Sequence, residues 1–390
     1  MRRLAASIVH KLLRIAPFSW IHRQAEFKRQ VEILAHSFGK SLPDIPCLIV
    51  PDIEERERDV VIAERILRAY QRASRSHKPP SPDVWTFIKK SQASFLTMLD
   101  QGDPRRLAAY LCNMSRHDAT TGTVQGNKEY DRIRRDSSYR RFLALMAKDK
   151  LLSLAEAVGV LPCENPEQGA YGQNFKIDGG ELVEKISKVI GIDIAPPEID
   201  GGLFKIKTGS AFFGERDLNA IFTAYTLRQH GAHSVCEIGA GSGRVAYWSY
   251  RLGIRSYALV DLPHINAIQS FYLLKALPDA SVSLCGESSG EIEILPCDAD
   301  ITRRFDLVLN QDSFPELSGD TVNRYLGWIK GHASEFLSIN HESKPEFQGK
   351  RQLSVADLIR EIRGFSRQSR TPYWLRKGYV MEFYKVSAAI

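Results

Sequence analysis

The chain has 390 residues, 43% hydrophobic and 25% charged, with a formal net charge of +7. That balance excludes a disordered polyelectrolyte, and no run approaches the roughly 18 apolar residues of a membrane-spanning helix. At roughly 150 residues per core, the length suggests two or three cores, and the positive charge suits an acidic partner without choosing one.

The first residues, MRRLAASIVHKLLRIAPFSW, place Leu4, Ile8, Leu12 and Ile15 on one helical stripe with His10, Lys11 and Arg14 around it. Lys11 and Arg14 interrupt the apolar region that a signal peptide needs. Two readings stay open for residues 1–25: a helix packed on the body, or a peripheral contact with a membrane surface. The six cysteines (Cys47, Cys112, Cys163, Cys236, Cys285, Cys297) show no CxxC pair and no histidine at zinc-ligand spacing. A reducing, cytoplasmic setting is expected, at most peripheral to the inner face of a membrane.

Residues 26–200 read as a helical region that caps an acceptor site. Helical spacing covers Val60 to Tyr70, Trp85 to Leu99, Arg105 to Met114 and Ser138 to Val158. The proline-rich SRSHKPPSPD, Ser74 to Asp83, breaks the pattern, and MSRHDATTGTVQGNKEY, from Met114, reads as a surface loop. The basic stretch DRIRRDSSYRR, Asp131 to Arg141, could follow phosphates. Only Tyr130 and Tyr139 accompany it as stacking partners, so a solvated helix face is preferred and nucleic acid is not the expected partner.

After His230 the period changes. Ser234 to Ile238, Ser256 to Asp261, Val282 to Leu284, Phe305 to Asn310 and Phe336 to Asn340 are short apolar runs with helical patterns between several of them. Such alternation predicts an α/β fold: a doubly wound, mostly parallel Rossmann-like sheet over 201–390, with ligands at the carboxyl ends of its strands. Tyr379 to Val386 reads as a late strand that closes the sheet edge.

The central motif is Glu237-Ile238-Gly239-Ala240-Gly241-Ser242-Gly243-Arg244, with a strand before it and a helix after it. A dinucleotide-binding turn has its third glycine at the position occupied by Arg244. The acidic residue and alternate glycines suit a cofactor without phosphates, S-adenosylmethionine, whose amino-acid end lies against Gly239, Ala240, Gly241 and Gly243 with Glu237 facing its ammonium. Asp261, some twenty residues on, is placed to accept from ribose hydroxyls, with Leu262 beside the adenine. Glu287 and Asp298 are weaker adenine-side candidates. The run Asn310-Gln311-Asp312-Ser313-Phe314-Pro315-Glu316 places polar groups where methyl transfer would occur. His341, after the next strand, is either a base or a loop residue bonded to backbone. Asp312, Glu316 and His341 form the expected catalytic rim, Asn310 and Ser313 orient the ligands, and the three rim residues could alternatively hold a divalent metal. The run lacks the paired prolines of amino-methylating DNA enzymes, which disfavours base methylation.

These motifs resemble the sugar O-methyltransferases of bacterial polysaccharide and glycan gene clusters, a branch of the class I S-adenosylmethionine-dependent methyltransferases. The resemblance runs from about Trp85 to the C-terminus. It rests on VCEIGAGSGRVAYW, YALVDLPHINAIQSFYLL, FDLVLNQDSFPEL, LAEAVGVLPCENPEQG and GERDLNAIFTAY. It implies S-adenosylmethionine as donor and a saccharide hydroxyl as acceptor, with Glu237, Gly239, Gly241, Gly243 and Asp261 at the cofactor positions. Leu317 replaces a methionine usual in that family, a change conservative in volume. An RNA methyltransferase and a non-catalytic partner of the same fold are the alternative readings.

Overall fold

A computed structural model describes residues 45–48, 51–76, 83–122, 127–165, 172–199, 201, 205–209, 211–347 and 349–387. The amphipathic stripe of residues 1–25 lies outside them. Residues 46–162 and 178–390 form one compact unit, and everything below concerns that unit.

Its first part is helical: α1 (Glu57–Ser76), α2 (Val84–Ser91), α3 (Ala93–Gln101), α4 (Pro104–Cys112), α5 (Asn127–Arg135), α6 (Ser137–Ala157) and α7 (Gly179–Ile190). Side chains that accept from free backbone N–H groups start several of them. Asp83 makes a reciprocal capping box with Thr86 at α2, while Asp103 precedes Pro104 at α4. The helix expected over Trp85 to Leu99 is two helices. Buried Gln92 interrupts it, its carboxamide donating to the carbonyls of Ala119 (2.9 Å) and Thr121 (3.0 Å). Those carbonyls belong to the stretch expected as a surface loop. Here instead are two 3-10 turns, Met114–Arg116 and Asp118–Thr120, buried at Met114, Ala119 and Thr120. A small antiparallel sheet, β1 (Cys47–Leu48), β2 (Lys205–Thr208) and β3 (Ala211–Phe213), also interrupts the helical region.

The chain then enters α8 (Glu215–Gln229) and a Rossmann-like domain. Its strands are β4 (Ser234–Ile238), β5 (Ser256–Asp261), β6 (Val282–Ser283), β7 (Ile292–Pro296), β8 (Phe305–Gln311), β9 (Ala333–His341), β12 (Phe365–Pro372) and β13 (Tyr379–Val386). A separate short hairpin, β10 (Glu346–Phe347) and β11 (Lys350–Arg351), follows β9. The main sheet has the order β12-β13-β9-β8-β4-β5-β7-β6, parallel from β9 to β6, with β13 antiparallel to both of its neighbours. Two strands escaped the apolar pattern. β7 lies inside the sheet between β5 and β6. β12 forms the edge beyond β13 and carries FSRQSRTP, a polar sequence suited to an uncovered edge. The late strand expected at the edge is thus the second one in.

Helices α9 (Arg244–Arg251), α10 (Pro263–Ala276), α11 (Gly319–His332) and α12 (Val355–Glu361) complete the domain. From Pro263 to Leu273 every residue of α10 is buried. Such a helix needs cover all round, and α1 supplies it on the side away from the sheet. Lys275 of α10 pairs with Asp59 of α1 (3.1 Å), and Arg65 of α1 takes Glu287 in an ion pair (2.6 Å). Below the other sheet face, Val308, Phe314, Leu326 and Phe336 pack as a core.

β5 and β8 leave β4 on opposite sides, so the switch point of the sheet falls where β4 and β8 end. Asn310 holds that point together. Its Nδ2 donates to the Ile238 carbonyl (3.0 Å) and its Oδ1 accepts from Asn340 Nδ2 of β9 (3.0 Å), at 0% exposure. Asn310→Ala orphans several buried groups at once, and a loss of about 1–3 kcal/mol of stability in urea unfolding is expected. A loss under about 0.5 kcal/mol, typical of an unremarkable surface position, would show that the three strand ends do not depend on it.

Candidate active site

A cleft opens at the switch point. It is lined by the glycine turn from Glu237 to Ser242, by Asp261 and Leu262 after β5, by Gln311 to Ser313 and Glu316 after β8, and by residues the motifs did not indicate. Among these are Asp83 and Trp85 from α2, Arg216 and Asn219 from α8, and Arg376 from the loop between β12 and β13.

The turn has left-handed glycines, but for two different reasons. A Cβ on Gly239 (φ 73°) would overlap the side chain of Ser313, whereas one on Gly241 (φ 56°) would meet nothing within 4 Å. Gly239 therefore serves internal packing. Gly241 presents bare backbone to the cleft, as close approach of a ligand requires. The two carboxyls beside it are both perturbed. Burial pushes Glu237 up to about 8, although the Tyr257 hydroxyl donates to it at 2.9 Å. Burial likewise pushes Asp261 up to about 7, against donation from the N–H groups of Leu262 (2.8 Å) and Gly241 (3.1 Å) and from Gln269 Nε2 (2.9 Å). Asp261 thus fastens the glycine turn as well as facing the cleft. Leu262 lies next to it, with Cys297, Leu317, Thr321 and Tyr325 making an apolar end.

Arg244, at the third-glycine position of a dinucleotide site, turns to Asp217 (2.5 Å) and lies over the Tyr272 ring (4.9 Å). At the opposite end, Asp312 is the sole non-glycine among the described residues with positive φ, at 68°. Its N–H donates to Asn340 Oδ1 (3.0 Å), and its carboxylate accepts from Arg376 and from the Tyr379 hydroxyl, both at 2.5 Å. Glu316 beside it is pushed up to about 7, by burial first and then by Asp312, with Trp85 donating to it in opposition.

The expected residues therefore divide. Glu237, Gly239, Ala240, Gly241, Asp261, Leu262, Asp312, Ser313 and Glu316 line one cleft. Gly243 sits just behind, starting α9 against Leu273. Asn310, expected among the ligand contacts, is instead wholly buried as the tie between strands. His341 is not in the cleft either: β9 carries it past the rim, where it pairs in register with Tyr379 and its Nδ1 meets the Ser343 carbonyl at 2.9 Å. Glu287 is occupied by Arg65, and Asp298 does not line the cleft. Among the described residues no group of three or more His, Cys, Asp or Glu is arranged to hold a metal, and no helix is long and apolar enough to cross a membrane. The missed residues come from distant segments. Only GERDLNAIFTAY, which contains Arg216 and Asn219, had stood out as a motif.

No protein-family model matches the chain, and no curated protein matches it. Among similar solved structures is the glycopeptide N-methyltransferase MtfA with S-adenosyl-L-homocysteine, at 17% identity over 43% of this chain and 90% of that one, TM-score 0.35. The same enzyme with S-adenosyl-L-methionine aligns over 43% and 94%, at 17% identity and TM-score 0.35. A ribosomal protein L11 methylase from Lactobacillus delbrueckii subsp. bulgaricus aligns at 14% identity over 45% and 81%, TM-score 0.31.

The three raised carboxyls fix a pH dependence. Each binds its proton more tightly folded than unfolded, where Glu and Asp titrate near 4, so the folded state holds more protons between about pH 4 and 8 and its stability falls as pH rises. The melting temperature of the ligand-free protein should drop from pH 5.5 to 8.5, and Glu237→Gln should flatten part of that slope. An equally steep profile in Glu237→Gln would mean that Glu237 does not titrate in this range.

Proposed function

We propose that the chain is an S-adenosylmethionine-dependent methyltransferase whose acceptor is a saccharide hydroxyl. The observation that carries the donor is the bare backbone of Gly241 beside two carboxyls, buried Glu237 and half-buried Asp261. A pyrophosphate there would oppose the ionisation of both carboxyls. A ribose with a cationic chain would not. Glu237 suits the cationic end, Asp261 the ribose hydroxyls through its remaining lone pairs, and Leu262, Cys297 and Tyr325 the base. When bound, this cofactor supplies a methyl group already activated by a sulfonium.

The chain must then activate and align a hydroxyl. Glu316 is the base in this reading, because a carboxyl titrating near 7 combines a useful ionised fraction at neutral pH with real basicity. Asp312 is ill suited to that role. Arg376 and Tyr379 already occupy both of its oxygens, and it acts as a fixed negative charge that keeps Glu316 basic. Support for a saccharide comes from the family resemblance and from the composition of the rim: Trp85 offers an aromatic face, and Asp83, Gln311 and Arg376 offer hydrogen-bonding groups around it.

Glu316→Gln should retain cofactor affinity and lose about 10²–10⁴-fold in turnover on the acceptor, and the wild-type rate should fall on the acid side of about pH 7. His341→Ala should stay close to wild type. Turnover measured on glycans from the source cells decides this: wild-type activity in Glu316→Gln removes it as base, and loss in His341→Ala restores the histidine.

A further inference from the structure

The first turn of α8 carries two cleft-lining residues one helical turn apart, Arg216 and Asn219, which three-residue spacing places on one face. Among the described residues Arg216 has no ion pair and no hydrogen bond. The other guanidiniums of the cleft are engaged, Arg244 by Asp217 and Arg376 by Asp312. Asn219 is 6% exposed, and its Oδ1 is buried without any hydrogen-bond partner. Its backbone is held, since the Asn219 carbonyl accepts from the Tyr373 hydroxyl at 2.9 Å, which also contacts Thr223 at 3.0 Å. A buried acceptor without a partner, on a residue that lines the cleft and whose backbone is fixed, marks a place that a ligand's donor can complete.

Arg216 can pair with an anion, and Asn219 Oδ1 can accept from an N–H or O–H. An α-amino acid offers both on one carbon, as carboxylate and ammonium. Asp217, between the two residues, bonds Arg244 at the first position after the glycine turn, so this part of α8 is pinned beside Gly241 and Glu237. We infer that Arg216 and Asn219 receive the amino-acid end of the donor, Arg216 pairing with its carboxylate and Asn219 Oδ1 accepting from its ammonium. The N-terminal end of α8 adds a favourable field for the carboxylate. This rests on the donor reading above, and it gives the carboxylate of a zwitterion a cation in a cleft whose other guanidiniums are paired.

Calorimetry on the full chain with three nucleosides separates the contributions: S-adenosylhomocysteine, its decarboxylated analogue, and 5′-methylthioadenosine, which lacks the amino acid. Arg216→Ala should weaken S-adenosylhomocysteine about tenfold to a hundredfold and leave the decarboxylated analogue unchanged, with Arg216→Lys partly restoring affinity. Asn219→Ala should weaken both of those ligands and leave methylthioadenosine unchanged. Wild-type affinity for S-adenosylhomocysteine in Arg216→Ala overturns this inference alone and assigns the arginine to an acidic acceptor. Failure of the wild-type protein to bind any of the three overturns the donor reading, and this inference with it.

Discussion

The carbonyl of Ile238 accepts two hydrogen bonds, from Asn310 Nδ2 at 3.0 Å and Ser313 Oγ at 3.1 Å, at the last residue of the central strand. Those bonds bring the end of β8 over the end of β4 so closely that residue 239 has no room for a side chain. The next N–H, that of Gly239, turns the other way and donates to Val260 of β5 at 2.8 Å. Three strand ends are thereby gathered at one point, and the ligand-facing residues follow within a few positions of it: Gly241 after β4, Asp261 after β5, Asp312 after β8. A parallel sheet offers a crevice at its switch point in any case. What this junction adds is a defined spacing between the turn on one side and the rim on the other.

Around the junction, burial sets the electrostatics. Glu237 and Asp261 lie within the same pocket, and each gains hydrogen bonds that favour its ionised form, yet desolvation prevails for both. Two of the three cleft guanidiniums are spent elsewhere, Arg244 on Asp217 and Arg376 on Asp312, which leaves Arg216. Among the described residues no cation figures in the influences on these two carboxyls, so the cleft is short of positive charge beside them. A ligand that brings a cation lowers both carboxyl pKa values and recovers the Coulomb energy that the chain leaves unused. An anionic cofactor would add to the deficit.

Local features of this site were legible in the sequence, and tertiary ones were not. The glycine turn and Asp261 could be read because strand, turn and helix are contiguous, and each carries its own pattern of apolar residues and glycines. Asn310 and His341 lie away from the cleft for a shared reason, His341 as the backbone-bonded residue of its second reading. A strand's end can be located from sequence, but which of its last residues face the cleft depends on register. Asn310 pairs with Ile238 in register and is sealed inside, and β9 runs on until His341 meets Tyr379 beyond the rim. Asp83, Trp85 and Arg376 carried no signal, since nothing local distinguishes a capping aspartate or a loop arginine from its solvated counterparts. They become part of a site only when helices of the first part of the chain and the loop between β12 and β13 close over the sheet. Conversely, the buried turns at Met114–Thr120 looked like a surface loop because their polar side chains bond internally: Asp118 accepts from the Tyr110 hydroxyl, and the Thr120 hydroxyl donates to the Met114 carbonyl.

The rim shows how a strained residue can act without touching the reaction. Asp312 holds a backbone conformation that side chains other than Asn and Asp rarely adopt, and such strain persists only where surrounding contacts enforce it. Here they do so from both ends. Asn340 and Ile339 take its N–H, and Arg376 and Tyr379 take its carboxylate, with the Arg376 guanidinium lying over the Tyr379 ring at 3.8 Å. Released into a regular extended conformation, the residue would carry its carboxylate away from these partners and from Glu316. Held as it is, the charge stays near Glu316 and raises its proton affinity, with Arg376 moderating the effect. The division of labour follows from satisfaction of lone pairs. The carboxylate with donors on both oxygens is the fixed charge, and the one that accepts from Trp85 keeps capacity for a proton.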